Sequence, residues 1–178
     1  MKTDPGKIRI LLVEDHAPTA ATLSAMLNAL GFGKVTVAGN TTAAVNALKE
    51  TGFDLLLCDF QLGIVNGLML VRMIRRPDGI TNPNVPIVMI TAHAEPDRVA
   101  EALDAGIDDF LVKPVLPEKL LQCMVGLLER PRVFVKSKDY AGPDRRRRQT
   151  DRHPGRRQDD REIRSLVPRN KWIVPPKT

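Results

Sequence analysis

Only two cysteines, Cys58 and Cys123, occur among the 178 residues of this chain. They lack the CxxC spacing of a metal site, and each lies in an apolar or amphipathic run. Both are therefore expected as reduced core residues rather than as disulfide partners or metal ligands. No stretch approaches the roughly 20 apolar residues that span a bilayer. The opening MKTDPGKIRI has neither the apolar core nor the small-residue cleavage site of a secretory signal. A cytoplasmic protein without a membrane partner is the expectation. Full repeats are also missing, although DRRRRQTDR and GRRQDDREIR are loosely alike. The length suits one ordinary domain plus a remainder.

The net charge of +6 is unevenly spread. Residues 1–130 hold 12 Lys/Arg against 15 Asp/Glu, a net of −3, whereas residues 131–178 hold 15 against 6, a net of +9. Any argument from basicity concerns the last 48 residues and not the part that can build a core.

Through residues 1–130, short β-branched apolar runs alternate with stretches of helical period, the pattern of βα units around a parallel sheet. Five units are expected. Strands are read at Ile8 to Glu14, Lys34 to Ala38, Leu55 to Asp59, PIVMIT ending at Thr91, and DFLVKP ending at Lys113. Helices are read from about Pro18 to Leu30 with Gly31 as the stop, from the Asn40, Thr41 and Thr42 caps to about Glu50, from the Gly63/Gly67 loop to near Arg76, and from Pro96 to a Gly106 cap. The last is read over Leu116 to Leu128, with Leu116, Leu120, Leu121, Met124, Leu127 and Leu128 as its apolar face.

After Pro131 the composition changes to arginine, aspartate, glycine and proline, including YAGPDRRRR. Such a segment does not bury enough surface to offset its ordering entropy. The division is therefore a 1–130 domain and a 131–178 basic tail without a core of its own, disordered or docked on a partner. Truncation after Arg130 is expected to leave a folded domain.

The polar residues that interrupt the apolar strands carry the chemistry. Glu14 and Asp15 end the first strand, Asp59 the third, Thr91 the fourth and Lys113 the fifth. In an open α/β sheet the carboxyl ends of the strands line one crevice. Carboxylates gathered there need a cation, and an all-oxygen ligand set suits Mg²⁺. A hydroxyl and an ammonium beside them receive an anion. The implied reaction is phosphoryl transfer to a carboxylate. Alone, each residue reads as a solvated loop or cap residue; five together at strand ends do not.

Through VED at Val13 to Asp15, LLLCD ending at Asp59, ITAH around Thr91 and FLVKP around Lys113, residues 7–130 resemble the receiver domains of bacterial two-component response regulators. The resemblance implies a doubly wound five-stranded parallel sheet of flavodoxin-like order 2-1-3-4-5. It implies Asp59 as phosphoacceptor and Asp15, Asp59 and the Gln61 carbonyl as Mg²⁺ ligands, with Glu14 acting through water. It also implies Lys113 as the phosphoryl partner, a cis Lys113–Pro114 bond, and Thr91 with Phe110 as the switch pair. Gln61 and His93 occupy positions that, by the same resemblance, tune phosphoryl lifetime in the family. Such a protein catalyses only its own phosphorylation and dephosphorylation.

The expected partners are a histidine kinase or phosphotransfer protein upstream and an unidentified protein downstream, with a homodimer left open. A nucleic-acid regulator acting through the tail is the rival reading. Interspersed aspartates and the lack of a helix-turn-helix pattern weigh against it. A phosphatase with an aspartyl-phosphate intermediate is disfavoured, because Phe60 and Gln61 follow Asp59 without the second aspartate of a DxD motif. The tail is expected to dock on acidic or apolar surface through Trp172, Ile173 and Val174, with Asp104, Asp108 and Asp109 as acidic surface on the domain itself.

Overall fold

A side-chain period of two divides the apolar residues of the central strands between two cores. Leu11, Val13, Leu56, Cys58, Ile87 and Met89 face one side, and Ile10, Leu12, Leu55, Leu57, Val88 and Ile90 face the other. Strands buried on both faces read as continuous apolar runs, which is why this sheet must be covered by helices on both sides. The computed structural model describes residues 2–63, 65–78, 82–92, 95–129, 132–137, 140–144 and 171–172.

The elements are β1 (Arg9–Val13), α1 (Ala17–Ala29), β2 (Lys34–Ala38), α2 (Thr41–Glu50), β3 (Leu55–Asp59), α3 (Gly67–Ile74), β4 (Ile87–Thr91), α4 (Pro96–Ala105), β5 (Asp109–Val112) and α5 (Pro117–Glu129). The five strands are parallel in the order β2-β1-β3-β4-β5. This is the expected 2-1-3-4-5 sheet. Helices α2, α3 and α4 cover the first core, through Leu48, Val71, Ile74 and Ala105 among others. Helices α1 and α5 cover the second, through Leu23, Leu27, Leu120 and Met124. Each fully buried leucine or isoleucine contributes about 1.5–3 kcal/mol.

The helix boundaries follow from their caps. The Asn40 side chain accepts from Ala43 N at 2.8 Å and starts α2, and Asn66 accepts from Leu68 N at 2.8 Å and starts α3. Helix α4 ends at Gly106, in the left-handed region with φ of 105°. Several edges differ from the sequence reading. Leu116 precedes α5 and is exposed, so Leu120, Cys123, Met124 and Leu127 form its buried stripe. The first and fifth strands stop one residue short, at Val13 and Val112, leaving Glu14 and Lys113 in the loops that follow.

Ordered structure continues past residue 130, where the composition had suggested that the domain stops. Strands β6 (Phe134–Lys136) and β7 (Ala141–Pro143) form an antiparallel hairpin, and all three residues of β7 are buried. The hairpin lies against the carboxyl ends of α3 and α4. Ala141 N donates to Arg75 O at 2.7 Å, and the Phe134 ring lies 5.4 Å from the Arg75 guanidinium. Arg75 is itself buried. Its Nε donates to Gly106 O at 2.8 Å, its Nη1 to the carbonyls of Pro83 and Val85, and its Nη2 to Asp108 Oδ2 at 2.9 Å. Burial pushes the Arg75 guanidinium down and the Asp108 carboxyl up in pKa, each opposed by the charge of the other.

Asp108 therefore supplies no acidic surface for a tail, contrary to the expectation from its charge. Residues 145–170 and 173–178 lie outside the described residues, as do the side chains of Lys171 and Trp172. The expected docking anchor of Trp172, Ile173 and Val174 falls there. At backbone level, Lys171–Trp172 pairs in parallel with Lys2–Thr3.

Candidate functional site

Glu14 and Asp15 follow β1, Asp59 ends β3 and Thr91 ends β4, so three neighbouring strands deliver polar groups to one end of the sheet. Glu14, Asp59 and Thr91 are buried and Asp15 is exposed. One carboxylate oxygen from each of Glu14, Asp15 and Asp59 lies within 4.8 Å of the others. Carboxylates this close repel one another unless a cation intervenes.

Lys113 provides one such cation. Its Nζ lies 2.8 Å from Asp59 Oδ2 and 3.0 Å from Glu14 Oε2, bridging two of the three carboxylates. Burial works to lower the lysine pKa, but the hydrogen bonds and charges of Asp59 and Glu14 outweigh it and hold the ammonium above its ordinary value. The Lys113–Pro114 peptide is cis, as the family resemblance implied. Backbone amides complete the frame: Gln61 N donates to Asp59 Oδ1 at 3.4 Å and His16 N to Glu14 Oε1 at 3.2 Å.

A hard, oxygen-preferring dication fits this donor set, which offers carboxylate oxygens and no nitrogen or sulfur ligand. Asp15 takes no part in the Lys113 bridge and is exposed to solvent. Cys58 next to the site is buried and faces the core, and its thiol is pushed far up, first by burial and then by the charges of Asp59 and Glu14. A redox role does not fit such a thiol.

Thr91 and Phe110 border a small cavity between the sheet and α4, together with Phe60, Met89, Val99 and Ala102. Phe110 pairs in register with Met89 and is half-buried, so an adjacent apolar space is open to its ring. Gln61 sits exposed beside Asp59, in a short hairpin with arms Gln61–Leu62 and Val65–Asn66. His93 lies outside the described residues.

Two contributors were missed from the sequence. Gly67 reads there as a loop glycine, yet a Cβ on it would sit 2.1 Å from Asp59 O and 3.1 Å from Cys58 Sγ. Only glycine lets α3 begin this close to the end of β3. Arg98 on α4 places its guanidinium 5.5 Å from the centre of the Phe60 ring, pairs with Glu95 at 2.9 Å and lines the same cavity. Nothing local in the sequence joins Arg98 to Phe60.

Comparison with known proteins agrees with this geometry. The response regulator receiver domain family matches residues 10–124. The chain is 36% identical over 127 residues to the DNA-binding response regulator MtrA of Mycobacterium tuberculosis, covering 71% of this chain and 53% of the relative. It is 29% identical over 123 residues to the chemotaxis protein CheY of Pseudomonas aeruginosa, covering 69% of this chain and 98% of that protein. The chain thus spans about half the length of MtrA and nearly all of CheY.

Among solved structures, the receiver domain of a sensor histidine kinase from Pseudomonas aeruginosa PAO1 superposes with a TM-score of 0.59 at 30% identity, over 66% of this chain and 94% of that one. That structure holds a magnesium ion in its active site cleft. A CheY-like receiver domain protein from Methanospirillum hungatei gives 0.58 at 25% identity, over 66% of this chain and 90% of that one. With the sheet order, the carboxylate cluster and the matched residues in agreement, this chain belongs to the response regulator receiver domain family.

Proposed function

We propose that Asp59 accepts a phosphoryl group from a histidine kinase or phosphotransfer protein, and that the resulting change controls a downstream partner protein. The observation that carries this reading is the Lys113 ammonium, held at 2.8 Å from Asp59 and 3.0 Å from Glu14 at the rim of a carboxylate cluster. An Asp59 oxygen attacks phosphorus as the bond from phosphorus to the donor breaks, giving an acyl phosphate. Lys113 then exchanges a carboxylate oxygen for a phosphoryl oxygen as its partner. Glu14 keeps the ammonium at the site while this occurs.

Asp15, Asp59 and the main-chain carbonyl of Gln61, with Glu14 through water, are the groups that would hold Mg²⁺, which when bound offsets the negative charge of the phosphoryl oxygens. The Thr91 hydroxyl binds a further phosphoryl oxygen. Its inward movement vacates space that Phe110 fills from the neighbouring strand. Because residue 110 is phenylalanine, the readout rests on ring packing and not on a hydroxyl hydrogen bond.

No helix among the described residues is long and apolar enough to cross a membrane. The net +9 of residues 131–178 keeps nucleic-acid binding as the rival output. Salt-sensitive binding of a duplex by the full chain, lost on removal of residues 145–178, would favour that rival. The main reading is tested by adding acetyl phosphate to the full chain with Mg²⁺ or with chelator and recording intact mass. One added phosphoryl mass, with Mg²⁺ only, is expected; none under either condition rejects the proposal.

A further inference from the structure

Hairpin 132–144, which contains the tyrosine, alanine, glycine and proline of the YAGPD motif, supplies no residue to the carboxylate crevice. It is fastened to the connection between α4 and β5, residues Gly106, Ile107 and Asp108. Arg132 Nη1 donates to Ile107 O at 3.1 Å and approaches Asp108 O at 3.5 Å, while its Nη2 donates to Asp144 O at 2.6 Å. The Tyr140 hydroxyl donates to Pro143 O at 2.9 Å and lies where a Cβ on Gly106 would meet it at 2.8 Å. Arg75 grips Gly106 and Asp108 from inside and accepts the Ala141 amide, joining hairpin and connection through one buried side chain and its carbonyl.

Phe110 lies two residues beyond Asp108, beside the cavity that borders Thr91. A shift of β5 that seated its ring in that cavity would pull on the clamped connection, which adjoins the start of β5 and the last turn of α4. Buried donors and acceptors that lose their partners in such a shift oppose it. The clamp sits where β4 and β5 begin, at the opposite end of the sheet from Asp59.

We propose that hairpin 132–144 is a restraint on the receiver switch: it stays docked on the α4–β5 connection while Asp59 is unmodified and undocks when Asp59 is phosphorylated. This rests on the phosphoacceptor reading of Asp59. The coupling is reciprocal, so loosening the hairpin must favour the phosphorylated conformation by the same factor.

The test is hydrogen exchange of the full chain with and without Mg²⁺ and beryllofluoride, an acyl-phosphate mimic, together with beryllofluoride titration of an Arg132→Ala variant. Beryllofluoride is expected to speed exchange in residues 132–144 several-fold. Arg132→Ala is expected to bind it about 5-fold or more tightly than wild type, the lower end of ordinary couplings. If exchange changes at residues 56–62 and 89–92 but not in the hairpin, the restraint is overturned and the Asp59 reading stands. No change at either place overturns both. Equal affinity of wild type and variant also overturns the restraint. Tyr140→Phe, which removes only the hydroxyl donated to Pro143, provides the same measurement should Arg132→Ala fail to fold.

Discussion

Arg75 Nη2 donates to Asp108 Oδ2 at 2.9 Å, with the two side chains 1% and 2% exposed. A buried pair contributes little net stability when intact, but losing one partner strands a charge, at a cost of about 3–5 kcal/mol. Arg75→Ala should lower unfolding stability by that amount in urea denaturation followed by circular dichroism. Arg75→Lys should recover only part, because an ammonium does not reproduce the fork that reaches Gly106, Pro83, Val85 and Asp108 together.

The hairpin changes what truncation should do. Ending the chain after Asp144 keeps every described contact of the hairpin and removes the two-residue pairing of Lys171–Trp172 with Lys2–Thr3, so it should lower stability only slightly. Ending it after Arg130 removes the Ala141 amide from Arg75 O and both Arg132 bonds to the α4–β5 connection. Each buried group left unpaired costs about 1–3 kcal/mol, so the shorter protein should unfold at lower urea concentration. Equal midpoints for the two truncations would refute this.

Gly67→Ala tests the close approach of α3 to β3. The added methyl has no room beside the Asp59 carbonyl and must move one element, at a cost of about 1–3 kcal/mol. Phosphoryl uptake at Asp59 should slow together with the loss of stability. An unchanged rate would show that the carboxylate tolerates the shift.

Most of the sheet could be read from the chain because apolar β-branched strands and capped helices are local signals. Leu55 to Asp59 and Lys34 to Ala38 match the observed strands. The crevice followed by topology alone, since residues that end adjacent parallel strands must meet. What stayed hidden depends on contacts across long sequence distances. Arg75 looks like any arginine ending a helix until Asp108, 33 positions on, is folded against it. The hairpin was hidden because proline, glycine and arginine suggest an uncored segment, whereas its burial comes from packing Phe134 and Tyr140 against Arg75 and Gly106 at the α3 and α4 termini.

Lys113→Ala separates binding of the phosphoryl group from its consequence. Asp59 remains able to attack, but the ammonium that joins it to Glu14 is gone. Amide spectra recorded before and after phosphorylation should show the wild-type shifts at Thr91 and Phe110 lost in the variant. Shifts of wild-type size would mean that another group carries the signal.

Formation of the acyl phosphate on Asp59 can be read directly. Treating the phosphorylated full chain with borohydride reduces an aspartyl phosphate to homoserine, and peptide mass spectrometry then locates it. Homoserine is expected at position 59 in the wild type and nowhere in Asp59→Asn. Homoserine at position 15 or elsewhere in the wild type, or undiminished phosphoryl uptake by Asp59→Asn, would contradict it.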